Sequence, residues 1–122
     1  MTLESLYEDI YERLMECAPL TALLEGEKIY DFKPDGVVPD PYVVGDINEV
    51  EGRTIDGNDR KVLAHLHIWS NCRGRKDVIE VKREIEAVLE GEKFHFESFQ
   101  TSLDESGWVH GVVVFRTYIE RN

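Results

Sequence analysis

Near the N-terminus, hydrophobic residues recur at intervals of three and four positions, which is the periodicity of an amphipathic helix. The pattern predicts a first helix over residues 3–17, with acidic residues in its first turn, where the helix dipole favours negative charge. Pro19 ends or offsets this helix, and we expect one further helical turn before Gly26. A second apolar stripe predicts another helix over residues 75–90, with Gly91 placed to form a left-handed cap.

Other segments alternate between two kinds of side chain or form short apolar runs, both typical of β-strands. The clearest is residues 61–70, whose even-numbered apolar residues share one face while the opposite face holds Leu63, His65, His67 and Trp69. Weaker patterns predict strands at residues 28–32, 42–47, 94–103 and 108–119. The last two are expected to pair as a hairpin, because the residues between them, 104–107, have the composition of a turn.

The order of these elements predicts an α+β fold, in which an antiparallel or mixed sheet of about five strands has two main helices packed on one face. The chain has 122 residues and contains no repeat, low-complexity tract or linker, so we expect a single domain over residues 1–122. Residues 49–60 are acidic and contain glycine. They are either a mobile loop or the tip of a long hairpin.

The charge balance excludes some classes of partner. There are 25 acidic and 14 basic residues, which give a formal net charge of −11 and argue against a nucleic-acid-binding surface. No apolar run approaches the roughly 20 residues of a membrane-spanning helix, and the N-terminus does not resemble a signal peptide. Cys17 and Cys72 have no metal-binding spacing, which favours free thiols in a reducing cytoplasm over a disulfide.

No motif for catalysis appears in the sequence. There is no nucleophile elbow and no glycine-rich phosphate loop. The run Asp56-Gly57-Asn58-Asp59 begins like a calcium loop, but the residues that follow do not supply the required ligand and glycine positions. We therefore expect no enzyme activity, no cofactor and no metal, and a protein that works through its surfaces.

Two histidines suggest a metal site, which is the most specific alternative to a protein that works through its surfaces. His65 and His67 are two positions apart on a predicted strand, so both imidazoles point to one side and could chelate a metal. His95 and His110 lie on other predicted strands and could add ligands. The competing interpretation places both strand histidines on a half-exposed sheet face or in a subunit contact. A small metal-binding or ligand-binding α+β domain using this face is therefore the second functional hypothesis.

A cluster of basic residues lies at the start of the second predicted helix, a position that disfavours positive charge. Arg73, Arg75 and Lys76 precede or begin the second predicted helix, where positive charge opposes the helix dipole. One interpretation is a salt bridge to an acidic neighbouring subunit, and the other is a solvated loop whose small cost is tolerated. Trp69 ends the preceding strand, where it is either a core residue or an anchor for an interface. These four residues are the candidate interface.

The arrangement of these elements resembles a known family. The features that carry the resemblance are the N-terminal helix and a series of short motifs after it. These motifs are Ile29-Tyr30-Asp31, Pro41-Tyr42-Val43-Val44-Gly45-Asp46, the strand into Trp69-Ser70, Leu89-Glu90-Gly91 and Val113-Val114-Phe115-Arg116. In this order, over nearly the whole chain, they are similar to the tail completion family of long-tailed bacteriophages and prophages. Members of that family act as tail terminators or tail-to-head joining proteins. The motifs are structural rather than catalytic.

The resemblance implies a role in virion assembly. Members form a hexameric ring that docks on the last ring of tail-tube subunits, stops polymerisation and offers its other face to the head connector. The implied partners are copies of itself, the tube protein and the connector, with DNA passing through unbound. Assembly is implied to occur in the bacterial cytoplasm, and the protein then stays in the virion tail. An acidic lumen would repel the duplex, and the candidate residues for the lumen or tube contact are Glu49, Glu51, Asp56 and Asp59. A bacterial regulatory or interaction domain without a phage role is a third hypothesis.

Overall fold

A five-stranded sheet and three helices form the structure, a computed structural model that describes residues 2–31, 36, 41–50, 59–71, 75–91 and 93–120. The elements follow the order α1 (Leu3–Met15), α2 (Ala18–Leu24), β1 (Ile29–Tyr30), β2 (Tyr42–Val50), β3 (Asp59–Ser70), α3 (Lys76–Leu89), β4 (His95–Leu103) and β5 (Val109–Glu120). No helix among these residues is long and apolar enough to span a bilayer.

The strand order is β1-β2-β3-β5-β4. β1 pairs with β2 in parallel, whereas the remaining pairs are antiparallel, so the sheet is mixed. The predicted hairpin at the C-terminal end is confirmed, with a bulge in β4 between Phe96 and Ser98. These features confirm the predicted α+β class, with α2 as a short third helix beside the two main ones.

α1 begins with a reciprocal capping box. The Thr2 hydroxyl accepts from the Ser5 backbone N–H, and the Ser5 hydroxyl accepts from the Thr2 backbone N–H, which satisfies two donors that the helix leaves unpaired. Pro19 lies in the first turn of α2, where proline is tolerated, so the chain breaks between α1 and α2 as expected. α2 ends at Glu25, which has φ 58° in the left-handed region.

One face of the sheet is covered by helices, and the core lies between these two layers. The even-numbered residues of β3 from Val62 to Ser70 point towards the helices and are buried, so the apolar face found in the sequence is the inner one. Each helix adds a buried stripe. The largest fully buried side chains in this layer include Leu6, Leu14, Leu24, Ile68, Ile85, Leu89, Phe94 and Phe115.

The expected left-handed cap at Gly91 is wrong. Glu90 ends α3 in an extended conformation, with φ −61° and ψ 126°, and forms an isolated bridge with Phe94. Gly91 donates its backbone N–H to the Phe94 carbonyl, and it is not among the described glycines that have positive φ. The chain therefore leaves α3 directly into a tight turn that leads to β4, and this turn replaces the cap.

Candidate functional site

The sheet face opposite the helices is covered by no helix of the described chain. The odd-numbered residues of β3 point to this side, and their cross-strand partners in β2 and β5 share it. Most of these side chains are only half-buried. We call this surface the open face, and its central residues are Val44, Asp46, Leu63, His65, His67, Trp69, His110, Val112, Val114 and Tyr118.

A line of stacked rings crosses the open face. The Trp69 indole lies over the His110 imidazole, with ring centroids 4.0 Å apart and planes 6° apart. His110 stacks in turn on His67 at 5.1 Å, and His67 on His65 at 6.4 Å. Of the two options for Trp69, the structure places it half-buried on this face rather than in the core. It is therefore accessible to a partner at its outer side.

His67 and His110 are also joined by a hydrogen bond. His67 Nδ1 and His110 Nε2 are 2.9 Å apart, so one ring nitrogen donates and the other accepts. Burial lowers the pKa of His67, and the neighbouring His65 lowers it further. Burial lowers the pKa of His110 as well, with a smaller contribution from His67. The lowered pKa values favour the neutral form of both rings, and two neutral rings satisfy this hydrogen bond with one N–H donor and one unprotonated acceptor nitrogen.

The metal hypothesis for His65 and His67 depends on further ligands. Among the described residues, no group of three or more histidine, cysteine, aspartate or glutamate side chains is placed to share a metal ion. The nearest polar partner of His67 is His110, while His65 Nδ1 lies 3.5 Å from the Asn48 amide nitrogen. Cys17 is a free, half-buried thiol, and Cys72 lies outside the described residues.

The basic cluster is described in part, because Arg73 lies outside the described residues. Arg75 is the N-cap residue of α3 and provides no capping hydrogen bond. Its Nε instead donates to Thr101 Oγ1 in β4 at 2.9 Å. Lys76 is 85% exposed, and its Nζ lies 3.9 Å from Glu80, a contact too long and too exposed to hold it in place. Lys76 is thus available to contact a partner.

The acidic candidates are described in part, and Glu49 and Asp59 lie at the end of β2 and at the start of β3. β2 continues to Val50 and β3 begins at Asp59, so Glu49 and Asp59 belong to paired antiparallel strands, while residues 51–58, on which the choice between a mobile loop and a hairpin tip depends, lie outside the described residues. Arg60 Nη1 lies 3.0 Å from Glu49 Oε1, so Glu49 is already paired within its own hairpin. Asp59 lies opposite Glu120 in the sheet. Two further candidates, Glu51 and Asp56, fall outside the described residues.

The two groups of candidates lie at opposite ends of the sheet. In β3, Trp69 stands near the end that leads to Arg75 and Lys76, whereas Lys61 pairs with Val50 at the end that holds Glu49. The path from Lys61 to Trp69 spans roughly 27 Å at about 3.4 Å per residue. The basic and acidic surfaces therefore cannot be parts of one site on a single molecule.

Sequence reasoning missed a groove beside α1. It has a volume of about 720 Å³ and runs between the outer side of α1 and the β1–β2 edge of the sheet. We call it the α1 groove, and its lining is Leu3, Glu4, Tyr7, Glu8, Tyr11, Glu12, Asp31 and Ile47. The signal in the sequence was a stripe of glutamates at every fourth position beside a pair of tyrosines, which together form one helix face.

Comparisons with known proteins agree with this architecture. A chain from the virion of a native gene transfer agent particle has a similar fold, with a TM-score of 0.77 and 18% identity over 91% of each chain. A comparison with curated proteins finds no match. The family model described as tail completion protein gp17 matches residues 8–120, nearly the whole chain, and confirms the resemblance seen in the sequence. This protein therefore belongs to the tail completion protein gp17 family.

Proposed function

We propose that this protein is a ring-forming subunit that caps the tail tube, ends tube polymerisation and joins the tail to the head connector. The match of the family model over residues 8–120 carries the proposal, because that family completes phage tails. The similar fold of a virion chain is consistent with it. In this role the protein assembles in the host cytoplasm, remains in the virion tail and performs no catalysis.

Subunit contacts in the ring would involve the end of the sheet that holds the candidate interface. The exposed Lys76 ammonium and the outer side of Trp69 are groups available there, and Arg73 and Arg75 precede Lys76 in the sequence. A chain of net charge −11 offers an acidic surface on every neighbouring copy. Salt bridges from the basic cluster to that surface would favour association of otherwise repelling subunits and fix their orientation.

The hairpin end would then face the lumen or the tube. The separation of roughly 27 Å between the two ends lets one surface hold the ring together while the other meets the tube or the passing DNA. Acidic side chains at Glu49, Glu51, Asp56 and Asp59 would repel the duplex and keep it sliding. Because Glu49 is paired with Arg60, its own share of this repulsion is reduced.

Tube length tests the proposal most directly. Tails assembled without this protein should show tubes of uncontrolled length and no attached heads in electron micrographs. Purified protein should be monomeric or weakly associated in light scattering and should form rings when tube protein is added. Tubes of normal length in its absence would exclude termination as the function.

A charge reversal tests the surface assignment. The double substitution Arg75→Glu and Lys76→Glu should abolish ring formation while leaving the circular dichroism spectrum unchanged, since both side chains are exposed. Acidic residues are favoured at a helix N-terminus, so stability should stay within about 0.5 kcal/mol of wild type. Arg83→Glu, an exposed reversal further along α3, is the matched control and should assemble normally. Equal assembly of all three proteins would exclude the basic cluster as the ring contact.

A further inference from the structure

Beyond Val44, the outer edge of β2 has no strand partner among the described residues. β1 covers this edge only at Val43 and Val44, where its two residues, Ile29 and Tyr30, lie. β2 continues to Val50, and no described strand adjoins its outer side from Gly45 onwards. Half of the backbone N–H and C=O groups in this stretch therefore face away from the sheet. Such an edge is a template for one more strand.

The α1 groove follows the same edge. Tyr11 donates its hydroxyl to the Ile29 carbonyl, so this part of α1 lies against β1. One turn earlier, the Tyr7 hydroxyl reaches Gly45, and a Cβ added to that glycine would lie 3.6 Å from the hydroxyl oxygen. The N-terminal half of α1 thus runs beyond β1 along the unpaired part of β2. A strand added in line with β1 would have α1 beside it, as β1 does.

The groove offers apolar contact and an unpaired polar atom. Leu3, Tyr7 and Ile47 supply its apolar lining, and Tyr7 stacks on Tyr11 with ring centroids 6.1 Å apart. The Tyr7 hydroxyl is buried and has no hydrogen-bond partner among the described residues. Burial and the carboxylates of Asp31 and Asp46 raise the pKa of Tyr7 to about 12. The Tyr7 hydroxyl therefore stays protonated and can donate a hydrogen bond to an occupant of the groove.

The charge of the lining specifies the occupant. Glu4, Glu8 and Glu12 follow one another along α1 at four-residue spacing, and Asp31 stands across from them. All four are exposed, and the part of the lining that the structure describes contains no lysine or arginine. An acidic or neutral segment would leave this charge uncompensated, whereas lysine and arginine side chains at alternate positions of a strand would pair with it.

We infer that the α1 groove binds an extended basic segment of another protein, which adds as a strand to the free edge of β2. Its backbone would pair with Gly45–Val50, while one set of alternate side chains contacts the glutamates of α1 and Asp31. This inference goes beyond the proposed ring, because it concerns a different surface from the candidate interface and would hold whether or not the chain caps a tube.

Peptide binding tests the inference. A fluorescent peptide Lys-Val-Arg-Val-Lys-Val, measured by anisotropy at low salt, should bind the full chain, and an analogue with glutamate in place of its basic residues should not. An analogue that is N-methylated at every residue keeps every side chain and the charge but has no backbone N–H to donate to β2 from either edge. It should lose most of the binding. Equal affinity for the methylated peptide would reduce the contact to unspecific charge attraction and overturn strand addition.

Variants locate the contact. Glu4→Gln with Glu8→Gln should weaken peptide binding by about three- to tenfold, because two exposed ion pairs are lost. Glu105→Gln, an exposed acid in the β4–β5 turn, is the matched control and should bind as wild type does. No change in the double variant would overturn the site. Complete absence of binding, as expected if a segment of the same chain or a second copy fills the groove, would overturn it as well. Normal tube capping by the double variant would leave the proposed function standing.

Discussion

Gly111 in β5 faces α3 at a distance that leaves no room for a side chain. A Cβ at this position would lie 2.3 Å from Val78 Cγ1 and 3.2 Å from Phe99 Cε1. Gly111→Ala should therefore lower the free energy of unfolding by about 1–3 kcal/mol, the usual cost of overpacking. Urea denaturation measures this effect directly.

The matched control for that substitution is Gly45→Ala in β2. A Cβ at Gly45 would meet Leu66 Cδ2 at 3.5 Å and the Tyr7 hydroxyl at 3.6 Å, which are ordinary van der Waals contacts. We expect a change within about 0.5 kcal/mol there. Adding Val78→Ala should restore part of the stability lost in Gly111→Ala, since it removes the clashing methyl group. Equal effects of the two glycine substitutions would show that α3 is not packed this closely on β5.

The histidine pair predicts a dependence of stability on pH. His67 and His110 have lowered pKa values, chiefly through burial, so the unfolded chain binds protons more readily than the folded one. Their contribution is fully present above the ordinary histidine pKa of about 6.5 and is lost as pH falls from there through the lower pKa of each histidine in the folded state. His110→Gln should therefore make the free energy of unfolding less sensitive to pH between about pH 5 and 7.

Urea denaturation at a series of pH values checks this prediction. His95→Gln is the control, since His95 lies in β4 outside the stack of rings. In His95→Gln, the free energy of unfolding should change with pH as it does in the wild-type protein. The carboxylates that titrate at lower pH are the same in all three chains, so they do not affect the comparison. If the free energy of unfolding of His110→Gln depended on pH as strongly as that of the wild-type protein, the pair His67 and His110 would not resist protonation in the folded state.

At the scale of the elements, the end of α2 contains a strained residue. Glu25 has φ 58° and ψ 39°, a conformation that costs an L-residue about 1–2 kcal/mol and glycine very little. Glu25→Gly should raise the free energy of unfolding by about 0.5–1 kcal/mol after the added entropy of the unfolded glycine is subtracted.

The residue that caps the end of α1 is not strained, so glycine should have the opposite effect there. Glu16 caps that helix with φ −81° in the right-handed region, where glycine relieves no strain. Glu16→Gly should therefore destabilise the protein by about 0.5–1 kcal/mol through unfolded-state entropy alone. Thermal melts of the two variants should move in opposite directions. Shifts of the same sign would contradict the left-handed conformation of Glu25.

At the scale of the whole molecule, one core predicts one cooperative transition. Buried residues from all three helices and from the strands form a single cluster, and we therefore predict that residues 1–122 unfold as one domain. Trp69 and Trp108 lie away from the helices, so tryptophan fluorescence reports the sheet while far-ultraviolet circular dichroism also reports the helices. The two signals should coincide in urea denaturation. Separate midpoints would divide the chain into independent units.

Sequence patterns predicted most of this architecture because each depends on local chemistry. The alternation in β3 assigned its buried face correctly, and the periodicity of α1 and α3 placed both helices within two residues of their ends. Gly91 was misjudged because the end of α3 admits two local solutions, and the turn in which Gly91 donates to the Phe94 carbonyl leads the chain into β4 in place of the cap. The basic residues at the start of α3 were visible in sequence, but the Arg75–Thr101 contact was not.

The sequence by itself determined the two periodicities, the acidic charge and the order of motifs that identify the family, because these are properties of neighbouring residues. Only the tertiary structure decided which surfaces exist. Strand pairing brought His110 onto His67 across 43 positions of the chain and moved the acidic and basic candidates to opposite ends of the sheet. It also left part of the β2 edge beside α1 without a strand partner among the described residues. These outcomes depend on register and packing between distant segments, which no local pattern encodes.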